Sequence, residues 1–97
     1  KGIHDWKARK SAYLAHLRTA DDEAVLLSAA DKYHNLFSMH RDFSRHGEGL
    51  WQHFKRGRAD QAWYYAEVRS IFHTREILAG TRLLADIDQL ALALFPG

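Results

Sequence analysis

The only proline in this chain is its penultimate residue, and few features constrain a fold more. Proline ends helices by removing a backbone donor and crowding the preceding turn. Six glycines are the remaining breakers, while the good helix formers Ala, Leu, Lys, Arg and Glu recur throughout. An all-α fold, a helical bundle, is expected. At 97 residues the chain has room for one modest core, burying about 60–65% of the surface its unfolded form exposes. One all-α domain spanning 1–97 follows, with no internal repeat, low-complexity stretch or linker rich in Ser, Gly or Pro to divide it.

Local signals place the helices. Asp5 is a plausible N-cap for a helix over 6–17, whose apolar positions Trp6, Tyr13, Leu14 and Leu17 recur at helical spacing. Thr19 reads as the next stop and start signal. Asp21, Asp22 and Glu23 crowd the first turn of a second helix, where negative charge opposes the positive end of the dipole. That helix is expected to run to about His46, with Arg41, Arg45 and His46 near its end and Gly47 available for a left-handed cap. Gly47 and Gly49 bracket a break before a helix of one or two turns at 50–54, closed by Gly57. A further helix is expected over 60–72. After Gly80 comes a last one over 81–94, with Leu83, Leu84, Ile87, Leu90, Ala91 and Leu94 as a continuous stripe.

Composition removes several function classes. Fourteen Lys and Arg against twelve Asp and Glu leave a net charge of +2, too little to argue for a nucleic-acid polymer as partner. Cysteine is absent, which excludes disulfides, thiolate nucleophiles and sulfur-based zinc sites. No run approaches the roughly 18–20 apolar residues of a membrane span, and no secretory signal is visible. A soluble, cytoplasmic chain without a membrane partner is expected.

The informative stretch is Ala30-Asp31-Lys32-Tyr33-His34-Asn35 in the second helix. A spacing of four puts Asp31 and Asn35 on one face, about 5–6 Å apart at Cβ. Ser38 and Asp42 join that stripe, and the apolar arc of Val25, Leu26, Ala29, Ala30, Tyr33, Leu36, Phe37 and Phe43 is expected opposite. Periodicity alone reads Asp31 as a solvated carboxylate.

The same six residues resemble the Ala-Asp-(Lys/Arg)-x-x-Asn motif of the HD-domain phosphohydrolases. The likeness extends upstream over 6–17, which looks like the lead-in helix of short guanosine-polyphosphate hydrolases and their bacterial relatives. Downstream it takes in Gly49-Leu50-Trp51-Gln52-His53-Phe54 and Trp63-Tyr64-Tyr65, covering roughly residues 6 to 75. The resemblance implies an HD-domain fold and a divalent metal held by an upstream His, a His-Asp pair and a later Asp. Asp31 matches the last of these. A carboxylate completing a His-rich set suits Mn²⁺, and such an ion polarises a phosphoryl oxygen and makes hydroxide available near neutral pH. The resemblance also makes Asn35, whose amide donates and accepts at once, the partner of a nucleotide sugar. It places Lys32, Lys55 and Arg56 with Asn35 on the substrate, a nucleotide or other phosphorylated small molecule.

The chain departs from the family pattern at its start. The upstream His, the His-Asp pair and the acidic catalytic pair would all precede residue 1, and His4-Asp5 reads better as the opening of the first helix. The resemblance therefore implies the C-terminal part of an HD-domain fold, with one of the four ligands, no catalytic residue of its own and no activity alone. A degenerate HD-like module for interaction or regulation, without metal, is the alternative. A plain helical bundle with Asp31 and Asn35 in bulk solvent is a third reading.

Other residues have blander explanations. His34 with Ser38 or His40 is the only local histidine grouping, while His16, His46, His53 and His73 read as surface or interfacial. Lys55, Arg56 and Arg58, and likewise Arg9 and Lys10, suit phosphate contacts as well as a solvated basic surface. Trp63, Tyr64 and Tyr65 suit a stacking wall for a base, but three consecutive aromatics cannot all face one way on a helix, so at least one is core. The final helix is apolar on more than one face, so exposed apolar helices and a homodimer are expected.

Overall fold

The computed structural model describes residues 3–54 and 56–96, with Ile3 and His4 as backbone alone. Its α-helices are α1 (Ile3–Thr19), α2 (Asp22–His46), α3 (Gly57–Phe72) and α4 (Arg82–Leu94), with 3-10 turns at Gly47–His53 and Glu76–Leu78. Among the described residues there is no strand, so the chain is an all-α helical bundle.

Cap chemistry explains most boundaries. The Asp21 carboxylate accepts a hydrogen bond from Ala24 N at 2.9 Å, and Asp22 and Glu23 follow it against the dipole. The cap is therefore Asp21, while Thr19 is the last residue of α1. Gly47 ends α2 at φ +58°, and its N–H donates to the Phe43 carbonyl. Thr81 caps α4 by accepting from Leu84 N at 3.2 Å. Two expectations shift. Asp5 lies inside the first turn of α1 and is no N-cap, because the helix begins before it. Gly57 opens α3 instead of closing the short turn before it.

α4 lies along α2 and buries Leu84, Ile87, Ala91 and Leu94. Leu83 and Leu90 pack half-buried against the same core, so Leu92 is left as the exposed large apolar side chain of α4. α2 contributes Val25, Ala29, Leu36 and Met39, and α3 contributes Tyr64, Tyr65, Val68, Ile71 and Phe72. Two of the three consecutive aromatics are thus core, with Trp63 half-buried beside them.

Long-range polar ties hold the layers in place. Arg75 donates to the carbonyls of Leu17 at 3.1 Å and Ala20 at 2.6 Å, satisfying the backbone as it leaves α1. Arg69 of α3 and His73, the residue just past its end, both reach Asp88 of α4, each at 2.8 Å.

Candidate functional site

The face of α2 singled out by its motif lies where α1, α2 and α3 meet. Lys32 does not point to solvent. It is 7% exposed, in the buried stripe between Ala29 and Leu36. Its Nζ donates to Tyr13 OH of α1 at 3.3 Å and to Asp31 Oδ2 at 3.1 Å. Tyr13 OH is also hydrogen-bonded to Ser28 Oγ. Burial acts to lower the pKa of Lys32. The phenols of Tyr64 and Tyr13 and the Asp31 carboxylate more than offset it and hold the ammonium above the ordinary lysine value.

Asp31 is the exposed end of this network. Its side chain is 61% accessible, and Asn35 Nδ2 donates to the same Oδ2 at 3.5 Å. The predicted pairing of Asp31 with Asn35 one turn along is thus present. Tyr65 lines a cleft with Asn35, and burial pushes its phenol up to about 12. Beyond Asn35 the predicted stripe continues into this cleft of about 300 Å³. His34, Asn35, Ser38 and Asp42 form one wall, with Phe54, Gln61 and Tyr65 among the residues across it. Asp31 is not among its lining residues. Hydroxyl, amide and carboxylate groups on these walls can exchange hydrogen bonds with a hydroxyl-rich ligand.

The remaining predicted residues lie apart. Arg56 stands over the Trp6 ring at 5.1 Å and pairs with Asp60 at 3.3 Å, on the α1 side of α3. Lys55 is outside the described residues. His40 lines a separate groove with Tyr33, Phe37 and Leu90. Tyr13 completes the network, and Gln61 and Tyr65 complete the cleft. The signal for Tyr13 is its apolar helical spacing on α1 and for Tyr65 its place in the aromatic run Trp63-Tyr64-Tyr65; for Gln61 the sequence offers none.

A divalent ion is not held by what is described. Among the described residues no three His, Cys, Asp or Glu side chains converge. Asp31 is a single carboxylate, and the Lys32 ammonium 3.1 Å away already neutralises it.

No family model and no curated protein matches the chain. The HD likeness therefore rests on the residues themselves.

Proposed function

We propose that these 97 residues are the later helices of an HD-type phosphohydrolase acting on a nucleotide phosphoester or pyrophosphate, with the guanosine-polyphosphate hydrolases as the nearest likeness. The observation that carries this reading is the condition of α2 around its motif. Leu27, one turn before Asp31 on its own face, is 67% exposed, and Leu26 and Phe37, further round the helix, are 39% and 49% exposed. A helix with apolar residues on more than one side belongs between layers. The Asp31 face is thus suited to covering by further helices, and in this reading those helices bring the His and His-Asp ligands of an Mn²⁺ ion, which Asp31 completes.

Within such a site the present residues have work of their own. Lys32, locked in its protonated form, lays a fixed positive charge beneath Asp31 and Asn35 and attracts phosphate without leaving the core. Asn35 and the cleft beyond it offer donors and acceptors to a sugar.

The test is Mn²⁺-dependent release of phosphate or pyrophosphate by a polypeptide that joins this chain to the ligand-bearing helices. Asp31→Ala is expected to lower turnover by more than about a hundredfold, since even outer-shell losses at metal sites cost about ten- to a hundredfold. Unchanged turnover sinks the assignment. A second reading, a metal-free HD-like interaction module, is favoured by the Lys32–Asp31 ion pair itself. It predicts that the joined polypeptide binds phosphorylated ligands equally well with Mn²⁺ and with chelator.

A further inference from the structure

Positive charge is not spread evenly over this protein. Lys7, Lys10 and Arg56 lie along the seam where α1 meets α3, interleaved with aromatic rings, and the buried Lys32 of α2 lies behind them. Lys7 Nζ is 4.6 Å from the centre of the Trp63 ring, Lys10 Nζ 4.7 Å from that of Tyr64, and Lys32 Nζ 4.7 Å from that of Tyr13. The Arg56 guanidinium stands 5.1 Å from the Trp6 ring. The rings adjoin one another, with Trp6 centred 6.1 Å from Trp63 and 6.5 Å from Tyr64.

Two of these cations have carboxylate partners, Asp31 for Lys32 and Asp60 for Arg56. Lys7 and Lys10 pair with no carboxylate among the described residues, and the exposed Arg9 lies between them on α1. The chain's small net charge of +2 does not show this grouping, in which α1 and α3 carry Asp5, Asp60 and Glu67 beside the basic residues while Asp21, Asp22 and Glu23 lie at the start of α2.

We propose that the α1–α3 seam binds single-stranded nucleic acid, its cations taking phosphates and its tryptophans taking bases. Lys7, Lys10 and Arg56 each sit over a different ring, so these charges are strung along the seam, which suits an extended polyanion over a lone phosphate; Lys32, 5.9 Å from the same Tyr64 ring as Lys10, is 7% exposed and stays behind them. Trp6 and Trp63 are half-buried, each with a cation on one face. A basic track interleaved with rings is how proteins hold single strands without reading sequence, because every base has a π-face. A duplex hides those faces. A lipid surface is favoured by protruding apolar side chains, whereas here the rings lie under ammonium and guanidinium groups.

Electrostatic crowding points the same way. Burial, reinforced by the neighbouring Lys32 charge, lowers the pKa of the Lys10 ammonium below the ordinary lysine value. A bound phosphate relieves that crowding.

This proposal is separate from the phosphohydrolase reading, since its test leaves Asp31 and Asn35 untouched. The experiment follows a labelled deoxythymidine strand of about 15 nucleotides by anisotropy, and tryptophan emission with the unlabelled strand. Binding is expected to weaken between about 50 mM and about 200 mM salt, with a log–log slope of about −2 to −3, corresponding to three or four phosphates at about −0.7 each. Emission is expected to be quenched, because Trp6 and Trp63 are two of the three tryptophans. Lys7→Glu with Lys10→Glu lowers affinity by about tenfold or more. Arg41→Glu with Arg45→Glu, the same charge change at exposed positions near the end of α2, lowers it less than about twofold. Should the reversal pair lose helical circular dichroism, Lys7→Gln with Lys10→Gln replaces it and is held to the same contrast. No binding, equal loss from the two pairs, binding without quenching, or tighter binding to phosphatidylserine vesicles or polyphosphate each overturns the proposal.

Discussion

A lysine at 7% exposure keeps its charge only where neighbours replace the water it has lost, and Lys32 has such neighbours in Tyr13 OH, Asp31 and the faces of the Tyr13 and Tyr64 rings. Two effects are combined in this one side chain, a packed stem and a bonded head. Lys32→Met keeps the stem and removes the head, and is expected to cost about 1–2 kcal/mol in urea denaturation. Lys32→Ala removes both and costs about 2–4 kcal/mol. Equal losses from the two variants count against a role for the ammonium. The pKa shifts set an alkaline limit. Lys32 and Tyr65 both hold their protons more tightly in the native state than in the unfolded chain, where lysine and tyrosine titrate near about 10.4 and about 10. Their contribution is complete below about pH 10 and is lost as pH climbs through the native values, about 12 for Tyr65. Stability measured by circular dichroism is therefore expected to hold to about pH 10 and fall above it, with a shallower fall in Tyr65→Phe. An unchanged alkaline limb in that variant removes Tyr65 as the group responsible.

Among the elements, the joint between α1 and α2 depends on a residue far away in sequence. Arg75 reaches the carbonyls of Leu17 and Ala20 and lies 3.5 Å from Asp22, with its side chain 17% exposed. Arg75→Ala leaves those two carbonyls without their donor. The expected cost is about 1–3 kcal/mol, and Arg75→Lys recovers only part of it because one ammonium lacks the forked geometry. Full recovery with lysine is the contrary result. Nothing near Arg75 in sequence announces this role. By contrast, Gly47 was legible because it acts on its own helix within four residues, through a positive φ, whereas Asp21 and Thr81 read as residues of the first turn and are instead the caps ahead of α2 and α4. The pairing of Asp31 with Asn35 and the continuation to Ser38 and Asp42 were legible for the same reason, since helical spacing alone sets them. Lys32 was not, because burying an ammonium takes tyrosines from two other helices. The apolar arc of α2 was half right. Val25, Ala29 and Leu36 are buried as drawn, but Leu26, Ala30 and Phe37 are exposed, because α4 and the 3-10 turn cover only one side of the helix.

Taken whole, the molecule measures 36 × 33 × 22 Å, and its short dimension is the thickness of about two helices at about 10–12 Å each. Two layers can cover one side of each helix. α2, with 25 residues and apolar side chains on two sides, is built for three. Its uncovered side includes Leu26 and Leu27, and Phe37 joins Tyr33, Leu90 and Ala93 in a groove of about 390 Å³ against α4. Rings of Tyr33 and Phe37 stack there with centres 6.1 Å apart. In the proposed HD domain a third layer of helices fills this side. In these 97 residues alone a second copy is the available cover, and that is the homodimer expected from exposed apolar helices. Light scattering is therefore expected to show mass above the monomer at tens of micromolar. Phe37→Glu restores the monomer while changing unfolding free energy by no more than about 0.5 kcal/mol, as exposed substitutions do. Joined to the third layer, the same substitution buries a carboxylate and is expected to cost about 3 kcal/mol or more. A monomer at every concentration, together with a Phe37→Glu cost that is small in both settings, leaves the exposed face of α2 as ordinary surface and takes away the support that the third layer lends to Asp31.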